Sequence, residues 1–545
     1  MKQNLKQTAR ERFAAMTLFL LICLPFSLVQ AQTVKVNGRV TDDLNEPMIG
    51  VSIVEKGTAN GCITDIDGNY TLNVKQGATL VYSYIGYVAL ERKAVAGVMN
   101  IILKEDAQAL DEVVVVGYGV QKKSSVTGAI SQVKSEDIQN RSITRAEEAL
   151  QGKTAGVQLV STTSQPGSSP TIRIRGFSSN GTSDPLYVVD GLIVNDLSSI
   201  DPNNIKSMEV LKDAASAAIY GAQAGNGVVL ITTKSGSQGT SSISYDFQYS
   251  INSLARRPEL LNSQEYLTQM KEADPTFTDV NIRELISNGV WDGVSSTDWY
   301  DVAFNASPAS RHTVTFQGAN DKGSYFLSLN NLYDNGIIRE DRDTYKRLSV
   351  MLNADYKIKP WLKVGTTANY ANYTSKAISD GSGGTSYVSM IATVMTLAPY
   401  IADTYPADAL PTQMQAQIAN GFTLLQNANG DYYSCLGTME QVHPMVAIRM
   451  NDKKNTGNSL MGTLYANFTP IKDLVFTTRL GYRIATDNTY THNNLYYGSA
   501  SASNKDRNGV TRTSLSTTYY QWENFVNYNT TLLDTHNISA MLGMS

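Results

Sequence analysis

From Ser237 onward the chain alternates apolar side chains with polar or small ones over long stretches, for example in residues 350–358 and 474–485. Each stretch has about the 9–11 residues that a tilted strand needs to cross an outer membrane. The pattern therefore predicts strands of a membrane β-barrel whose apolar face meets lipid. These stretches lie near 241–251, 311–319, 323–334, 345–358, 361–373, 458–469, 473–485, 517–530 and 535–545. Because lipid penalises charge, the residues expected to face the interior include Asp355, Lys357, Arg479 and Arg483.

Two of the predicted hairpins close through short polar turns, at Lys359-Pro360 and at Pro470-Ile471-Lys472. Short turns are typical of the periplasmic side of an outer-membrane barrel. The long intervals 252–310 and 374–457 are then outer-surface loops, and loops of this length usually carry function. Helical patterns inside the first interval cover Ser263–Ala273 and Ile282–Asn288.

The segment that begins near residue 34 consists of short strand-like stretches separated by turns. Their spacing of roughly 8–12 residues, with no helical pattern, predicts a small antiparallel β-sandwich. Asp65-x-Asp67-Gly68 begins like a calcium loop, but no Glu follows at the EF-hand spacing, so a tight turn is favoured. The predicted strands are Val34–Val40, Gly50–Lys56, Tyr70–Val74, Thr79–Tyr84 and Met99–Lys104.

Two polar stretches, 104–108 and 121–125, flank a segment that contains the four consecutive valines Val113–Val116. β-Branched side chains favour an extended backbone. One interpretation is a further buried strand. The other is a strand that a partner adds to its own sheet, in which backbone hydrogen bonds carry the force. The polar flanks favour the second interpretation.

Residues from about 125 to 236 interleave short strands with helix signals, which predicts a mixed α+β unit. Thr144-Arg145-Ala146-Glu147 has the spacing of a capping box, so a helix is expected to begin there. Asp201-Pro202 and Asp213 are further N-cap signals, and Gly221 should end the helix that follows Asp213. The predicted strands are Thr171–Arg175, Leu186–Val189 and Val228–Thr233.

The first 31 residues have the pattern of an export signal. Basic residues up to Arg12 precede an apolar run from Phe13 to Val29, and Val29-Gln30-Ala31 is a small-x-small cleavage pattern. A transmembrane anchor is the alternative, but about 16 apolar residues fall short of the roughly 20 that a spanning helix needs. The mature chain is therefore expected to be periplasmic, released, or a β-barrel in the outer membrane.

Composition narrows the function classes. A net charge of −4 excludes a strongly basic nucleic-acid binder, and 3 Cys in 545 residues cannot build a disulfide framework. The 4 His form no His-Glu-x-x-His motif, and neither Gly-x-Ser-x-Gly nor Cys-x-x-Cys occurs. We therefore expect no enzymatic activity, no cofactor and no metal site.

Several motifs between residues 150 and 234 resemble, in the expected order, the plug of TonB-dependent outer-membrane transporters. The sandwich before them resembles a carboxypeptidase regulatory-like domain, and together these segments are similar to the SusC/RagA-like nutrient importers. The family usually carries an Arg between Gly221 and Asn226, which this chain lacks, so a role for charge in that loop is in doubt. The plug-motif residues are Arg173, Arg175, Gly176, Asp190, Gly191, Lys212, Asp213, Tyr220, Gly221, Asn226 and Gly227.

The resemblance implies partners and roles. TonB, energised by ExbB and ExbD, would pair with the valine segment and displace the plug, while a SusD-like surface lipoprotein would cover the barrel outside. Arg173, Arg175 and Asp190 either orient loops inside the plug or contact substrate, and the first role is favoured. The implied TonB box is Asp111, Glu112, Val113, Val114, Val115, Val116, Gly117 and Tyr118.

The function implied by the resemblance is active import of a nutrient across the outer membrane. An oligosaccharide is the favoured ligand and a peptide is the other candidate; outer-membrane lipid surrounds the barrel, and no nucleic acid is involved. A surface receptor or adhesin that uses the same barrel without import is the alternative. Tyr432-Tyr433 and Tyr496-Tyr497 could stack on sugar rings, but loop packing or an aromatic girdle is favoured for them.

The predicted fold is β-dominated, with a transthyretin-like sandwich, an α+β plug and about nine strands of a barrel that would have about 22 when complete. At the observed spacing, completing the barrel would take roughly 400–450 further residues, so a truncated chain is expected. The N-terminal domains should lie in the periplasm or the barrel lumen. The predicted domains are a signal peptide (1–31), the sandwich (32–104), a linker with the TonB box (105–124), the plug (125–236) and barrel strands (237–545).

Overall fold

The computed structural model describes most of the chain. The predicted signal peptide at 1–31 lies outside the described residues, and so do Asp111, Glu112, Gly117 and Tyr118 of the predicted TonB box. Within the described part, no helix combines the length and the apolar character needed to cross a membrane. The described residues are 33–43, 46–58, 60–84, 87, 89–104, 113–116, 119–122, 130–139, 141–161, 163, 165–177, 181, 183–236, 241–378, 389–436, 440–532 and 536–545.

Residues 33–104 form a β-sandwich of two sheets, as expected. In one sheet, β1 pairs antiparallel with β4 and parallel with β7 and β8; the other sheet has the order β3-β2-β5-β6. The sandwich is therefore not wholly antiparallel, because β7 and β8 run parallel to β1. The strands are β1 (Thr33–Thr41), β2 (Ser52–Glu55), β3 (Gly61–Ile63), β4 (Asn69–Lys75), β5 (Thr79–Ser83), β6 (Leu90–Lys93), β7 (Gly97–Val98) and β8 (Ile101–Ile102).

The alternation along β4 builds the core of this sandwich, because every second residue of the strand is buried. The hydroxyls of Tyr70 and Tyr82 lie 2.8 Å apart in that core and form a hydrogen bond. At the turn before β4, Asp65 Oδ1 accepts the N–H groups of Asp67 (3.0 Å) and Asn69 (2.8 Å). The acidic motif is thus a turn closed by its own side chain.

The valine segment is extended. Val113–Val116 form β9, which pairs with β10 (Gly119–Lys122) in a two-stranded sheet. The second strand differs from the sequence analysis, which placed Gln121 and Lys122 in a polar linker. Each strand of such a ribbon keeps one edge that the partner strand does not occupy.

The plug centres on a five-stranded sheet of order β11-β16-β17-β14-β15, accompanied by the hairpin β12-β13. β17 pairs antiparallel with β16 and parallel with β14. The strands are β11 (Ile130–Lys134), β12 (Val157–Val160), β13 (Thr171–Ile174), β14 (Leu186–Val189), β15 (Leu192–Val194), β16 (Ile205–Leu211) and β17 (Val228–Thr233). Its helices are α1 (Ser135–Gln139), α2 (Ala214–Ala217) and the 3-10 helices Ala146–Leu150, Pro202–Asn204 and Ala218–Ala224.

Of two helix signals in the plug, one is wrong and the other is confirmed. The capping box at Thr144 does not form: the helix is a 3-10 turn beginning at Ala146, and the Thr144 hydroxyl donates instead to Asp334 of the barrel sheet (2.9 Å). The Asp201 cap exists, but its helix ends at Asn204 and the chain continues as β16. At Thr144, the hydrogen bond to the barrel sheet replaces the predicted cap. At Asp201, the cap predicted where the helix begins but not how long it is.

The barrel segments form one antiparallel sheet in which nine strands follow one another, in the order β18-β19-β20-β21-β22-β25-β26-β29-β30. Short strands β23, β24, β27 and β28 lie in the loops between them. In chain order the strands are β18 (Ser242–Asn252), β19 (Ser307–Asn320), β20 (Gly323–Asn335), β21 (Thr344–Lys359), β22 (Leu362–Lys376), β23 (Thr404–Tyr405), β24 (Tyr432–Tyr433), β25 (Asn451–Ile471), β26 (Leu474–Asn493), β27 (Tyr496–Ser499), β28 (Ala502–Asn504), β29 (Gly509–Leu532) and β30 (His536–Met544).

Strand register divides the sheet into an inner face, which contacts the plug, and an outer face. On β21 the inner face carries Arg347 and Met351, both buried, whereas Leu348 and Leu352 on the outer face are exposed. Exposed apolar and aromatic side chains continue across the outer face, as a lipid-facing surface requires. The alternation in the sequence therefore assigned the faces correctly.

The two ends of the sheet differ in their connections. At one end, β21–β22 and β25–β26 are joined by the short turns at 360–361 and 472–473. At the other end, 253–306, 377–450 and 494–508 are long connections. The helices in these connections are α3 (Ser263–Ala273), α4 (Asp279–Ser287), α5 (Trp299–Ala303), α6 (Met390–Thr396), α7 (Thr412–Ala419) and α8 (Pro444–Ala447).

The long connections share one hydrophobic core, which we call the outer-loop core. It includes Trp299 from the first, Met390 from the second and Tyr497 from the third. Tyr433 is buried there too, so Tyr433 and Tyr497 of the predicted tyrosine pairs serve loop packing. His443 Nδ1 accepts the N–H of Met445, and its Nε2 lies 3.0 Å from Asp403 Oδ1.

Candidate functional site

The Asp190-Gly191 turn joins β14 to β15, the last two strands in the order of the plug sheet. Both residues have left-handed backbones, with φ of +47° and +88°. The Asp190 carboxylate accepts the Thr233 N–H (3.0 Å) and the Thr233 hydroxyl (2.7 Å), which ties the turn to the end of β17. Burial raises the pKa of Asp190, an effect that the Thr233 hydrogen bonds and the charge of Arg479 oppose.

The barrel sheet contacts the same turn from its inner face. A Cβ on Gly191 would overlap Arg479 Nη1, so the glycine leaves room for the guanidinium. Gln521 Nε2 donates to the Gly191 carbonyl (3.0 Å), and the Ile193 N–H donates to Gln521 Oε1 (3.2 Å). Arg479 Nη1 also lies 3.4 Å from Glu523 Oε2. The turn is thus clamped between the plug sheet and β26 and β29.

Arg173 and Asn226 of the motif meet at Asp184, a residue that the sequence analysis did not single out. Arg173 Nη1 donates to Asp184 Oδ1 (2.8 Å), and Asn226 Nδ2 donates to the Asp184 carbonyl (3.3 Å). The Arg173 guanidinium also stacks over the ring of Phe177, 5.1 Å from its centroid. These contacts connect β13 with the loops that precede β14 and β17.

Lys212 and Arg175 contact the open end of the β12-β13 hairpin. The Lys212 ammonium donates to the Ser131 hydroxyl and to the Ala155 carbonyl. Burial lowers the pKa of Lys212, and the charge of Arg175 adds to the shift. Arg175 has φ of +57°, and its N–H donates to the Gly156 carbonyl (2.9 Å).

The remaining motif residues shape the backbone. Gly176 and Gly227 have φ of +90° and +88°, and Gly221, with φ of +65°, interrupts the 3-10 helix. Asp213 accepts a backbone N–H of α2 and caps that helix, while Tyr220 is partly buried. Their contacts among the described residues orient segments of the plug, and their functional role stays a prediction.

A fully buried ion pair joins the plug to the barrel sheet. Arg347 Nη2 of β21 lies 2.7 Å from Asp201 Oδ2, and both side chains are 0% exposed. Arg347 Nη1 also donates to the Ser198 carbonyl (3.0 Å), and Asp201 Oδ1 accepts the Asn203 N–H (2.9 Å). Removing one partner of a buried pair leaves an uncompensated charge, which is strongly destabilising.

Further polar contacts attach the plug to strands β19 to β22 of the barrel sheet. These side chains lie on the inner face by strand register, so the alternation of β21 and β22 was a signal that could have found them. The pairs are Thr144 hydroxyl to Asp334 (2.9 Å), Arg311 to the Ile143 carbonyl, Asn369 to the Ser199 carbonyl (2.9 Å) and Asn353 to the Lys234 carbonyl (3.2 Å).

The plug also contacts the outer loops directly. The side-chain amide of Gln165 makes two hydrogen bonds to the backbone of Ile378: its Nε2 donates to the carbonyl (3.3 Å), and its Oε1 accepts the N–H (3.1 Å). Ile378 belongs to the outer-loop core. This contact joins sequence-distant residues, and no pattern around Gln165 indicated it.

Gly191→Ala should destabilise the protein by more than the backbone strain alone. A left-handed non-glycine residue costs about 1 kcal/mol, and the new Cβ must also displace Arg479 from Glu523. Gly176→Ala is the matched control, because Gly176 has a similar φ but no atom of the described residues within 4 Å of its Cβ position. Thermal unfolding measures the difference; equal losses in the two variants would show that the clamp adds nothing.

Among the described residues, no group of three or more His, Cys, Asp or Glu side chains could hold a metal ion. The contacts above describe a plug fixed to the inner face of a sheet of long antiparallel strands, preceded in the chain by an extended valine segment. This architecture defines the class of plugged outer-membrane barrels.

Comparison with known proteins identifies the class more closely. Residues 122–228 match the TonB-dependent Receptor Plug Domain, and residues 36–115 match the CarboxypepD_reg-like domain. The chain is 34% identical over 488 residues to the TonB-dependent receptor SusC of Bacteroides thetaiotaomicron, covering 86% of this chain and 47% of that protein. It is 30% identical over 534 residues to the TonB-dependent receptor P26 of Formosa agariphila, covering 95% of this chain and 49% of that protein.

A solved structure has the same fold. The RagAB peptide importer in its open-open state superimposes with a TM-score of 0.65 at 24% identity, covering 79% of this chain and 48% of that chain. The chain spans about half the length of the relatives it matches. The resemblance to SusC/RagA-like TonB-dependent receptors, inferred from the motifs, is confirmed over the aligned residues.

Proposed function

We propose that this chain acts, within the full receptor, in TonB-dependent import of a nutrient across the outer membrane. The observation that carries the proposal is the plug: an α+β domain attached through buried polar contacts to the inner face of membrane-length strands. A plug attached in this way closes a passage and must move before cargo can pass. The remaining strands of the receptor would close the barrel around it.

In this proposal, TonB binds to the valine segment. TonB would add a strand to β9 through backbone hydrogen bonds, either at its open edge or in place of β10. Such a connection resists pulling with little dependence on side-chain identity. Force on the segment would then reach the plug, with ExbB and ExbD providing the energy at the inner membrane.

The proposed domain organisation retains the sequence-based boundaries. The signal peptide (1–31) directs export, the sandwich (32–104) and the linker with the TonB box (105–124) face the periplasm, and the plug (125–236) precedes the barrel strands (237–545). The plug-motif residues act in this scheme as internal braces. Their contacts within the plug, such as Arg173 with Asp184, support that role.

The proposed partners are TonB and a SusD-like surface lipoprotein, the second docking on the side of the long connections. We favour an oligosaccharide as cargo. A structural neighbour is described as a peptide importer, which keeps peptides as the second candidate.

Accumulation inside cells distinguishes import from the alternative of a surface receptor or adhesin. Cells that express the full-length gene should take up a labelled oligosaccharide or peptide into the periplasm, and cells without the gene should not. Protease-treated cells with the surface label quenched give the internal fraction. Surface binding with no internal label in energised cells would favour the receptor or adhesin and contradict import.

A further inference from the structure

A row of charged and aromatic side chains lies on the inner face beside the plug, and its member Tyr519 packs against the plug's hydrophobic core. By register, Arg483 of β26 faces Tyr519 of β29, and Asp487 of β26 faces Gly457 of β25. Gly457 in turn pairs with Tyr373 of β22. All these positions lie beyond Arg479, toward the end of the strands that carries the long connections.

Arg483 differs from the other inner-face arginines. Arg347 pairs with Asp201, Arg479 with Glu523, and Arg311 donates to the Ile143 carbonyl. Among the described residues, Arg483 has no carboxylate within 4 Å and no hydrogen-bond acceptor. Its guanidinium instead stacks over the Tyr519 ring, 5.4 Å from the centroid.

This stacking orients the guanidinium for a ligand. When one face of a guanidinium covers an aromatic ring, the N–H groups at its edge stay free to donate. Their fork matches a carboxylate, which accepts two parallel hydrogen bonds. Arg483 is partly buried, so a counter-charge there is screened less than on an open surface.

The second part of the row accepts hydrogen bonds. The Tyr373 hydroxyl donates to Asp487 Oδ1 (2.6 Å), which leaves Asp487 Oδ2 as an acceptor, and Tyr373 stacks beside Tyr345. A Cβ on Gly457 would overlap the Tyr373 ring, so this glycine makes room for the tyrosine. Asp487 and Arg483 are four positions apart on one strand, about 13 Å, which is too far for them to neutralise each other.

Building on the proposed import function, we propose that this row is a cargo subsite for a carboxylate-bearing oligomer. Arg483 binds the carboxylate, Tyr519 holds the guanidinium in place, and Asp487 accepts a hydroxyl or amide donor about 13 Å further along the cargo. Uronate-containing oligosaccharides and peptides both supply this chemistry. The separated positive and negative groups select a cargo that is acidic at one point rather than along its whole length.

Equilibrium binding to the purified full-length receptor tests the proposal. The probes are tri-galacturonate with one free carboxylate, its full methyl ester, a tripeptide with a free C-terminus and its C-terminal amide. At least one acid should bind about tenfold to hundredfold more tightly than its neutral counterpart, as expected for charge-assisted hydrogen bonds. Arg483→Gln should remove the difference, and Arg483→Lys, which keeps the charge and loses the fork, should retain part of it.

Arg512→Gln is the matched control, because Arg512 lies on the outer face of β29 and should leave discrimination unchanged. The acid that binds more tightly than its neutral counterpart identifies the source of the carboxylate, either a uronate or a peptide C-terminus. Equal affinities for acids and neutral counterparts, no binding of either acid, or discrimination that survives in a folded Arg483→Gln receptor would overturn the subsite. Because binding is measured without uptake, a receptor that discriminates through Arg483 but imports nothing contradicts only the import proposal.

Discussion

Deleting residues 111–118 from the full-length receptor should abolish uptake while leaving ligand binding intact. The segment precedes the plug in the chain and includes β9, whose backbone groups are the proposed attachment for TonB. Removing it breaks the connection through which force would reach the plug, but leaves Arg483 and Asp487 of the proposed cargo subsite in the chain. Uptake of labelled cargo by energised cells, and cargo binding to the purified receptor, measure the two properties separately.

Point substitutions sharpen this test. Val115→Pro removes a backbone N–H and should reduce uptake strongly, because strand pairing needs that donor. Val115→Thr keeps an extended backbone with a β-branched side chain and should leave uptake near normal. Unchanged uptake in the deletion, or equal loss in the proline and threonine variants, would contradict attachment by strand addition.

Replacing Arg347 by Met should loosen the plug. The substitution leaves the Asp201 carboxylate buried beside an apolar side chain, and breaking such a pair typically costs about 3–5 kcal/mol. We expect faster protease cleavage of the plug in the full-length receptor and greater sensitivity of cells to a large antibiotic that the outer membrane normally excludes.

The double variant Arg347→Met with Asp201→Leu separates the ion pair from general damage. Apolar replacement of both partners of a buried pair is often neutral or stabilising, so the double variant should recover much of the plug stability. A double variant as labile as the single one, or a single variant with a plug as resistant as the parent's, would show that the pair does not hold the plug.

The sequence predicted best where local signals and tertiary structure agree. The strand alternation located nine barrel segments and their faces, and Ser263–Ala273 is helical over the expected range, with a capping box formed by Asn262 and Glu265. In the plug, β16 was missed because its seven largely buried residues directly follow the three-residue helix that Asp201 caps. Single-residue signals mark where a helix begins, whereas burial in a central sheet decides whether the chain then continues as a helix or as a strand.

The candidate site was predictable only in part. Motif positions such as Asp190 and Gly191 were identified, but the residues of the barrel sheet near them depend on the register of strands roughly 290–330 residues away in the chain; these residues are Arg479, Gln521 and Glu523. The alternation along its strand segment predicted that Arg347 lies on the inner face. Its partner Asp201 was not predicted, because an N-cap signal already explained that residue.

The outer-loop core has a consequence for how such receptors diversify. Because Trp299, Met390 and Tyr497 come from three connections and pack in one interior, a length change in one connection leaves a gap or an overlap that the others must absorb. Transplanting a single loop between relatives should therefore fail where exchanging all three together succeeds. New specificities would then be inherited as whole sets of surface segments, while the strands beneath change independently.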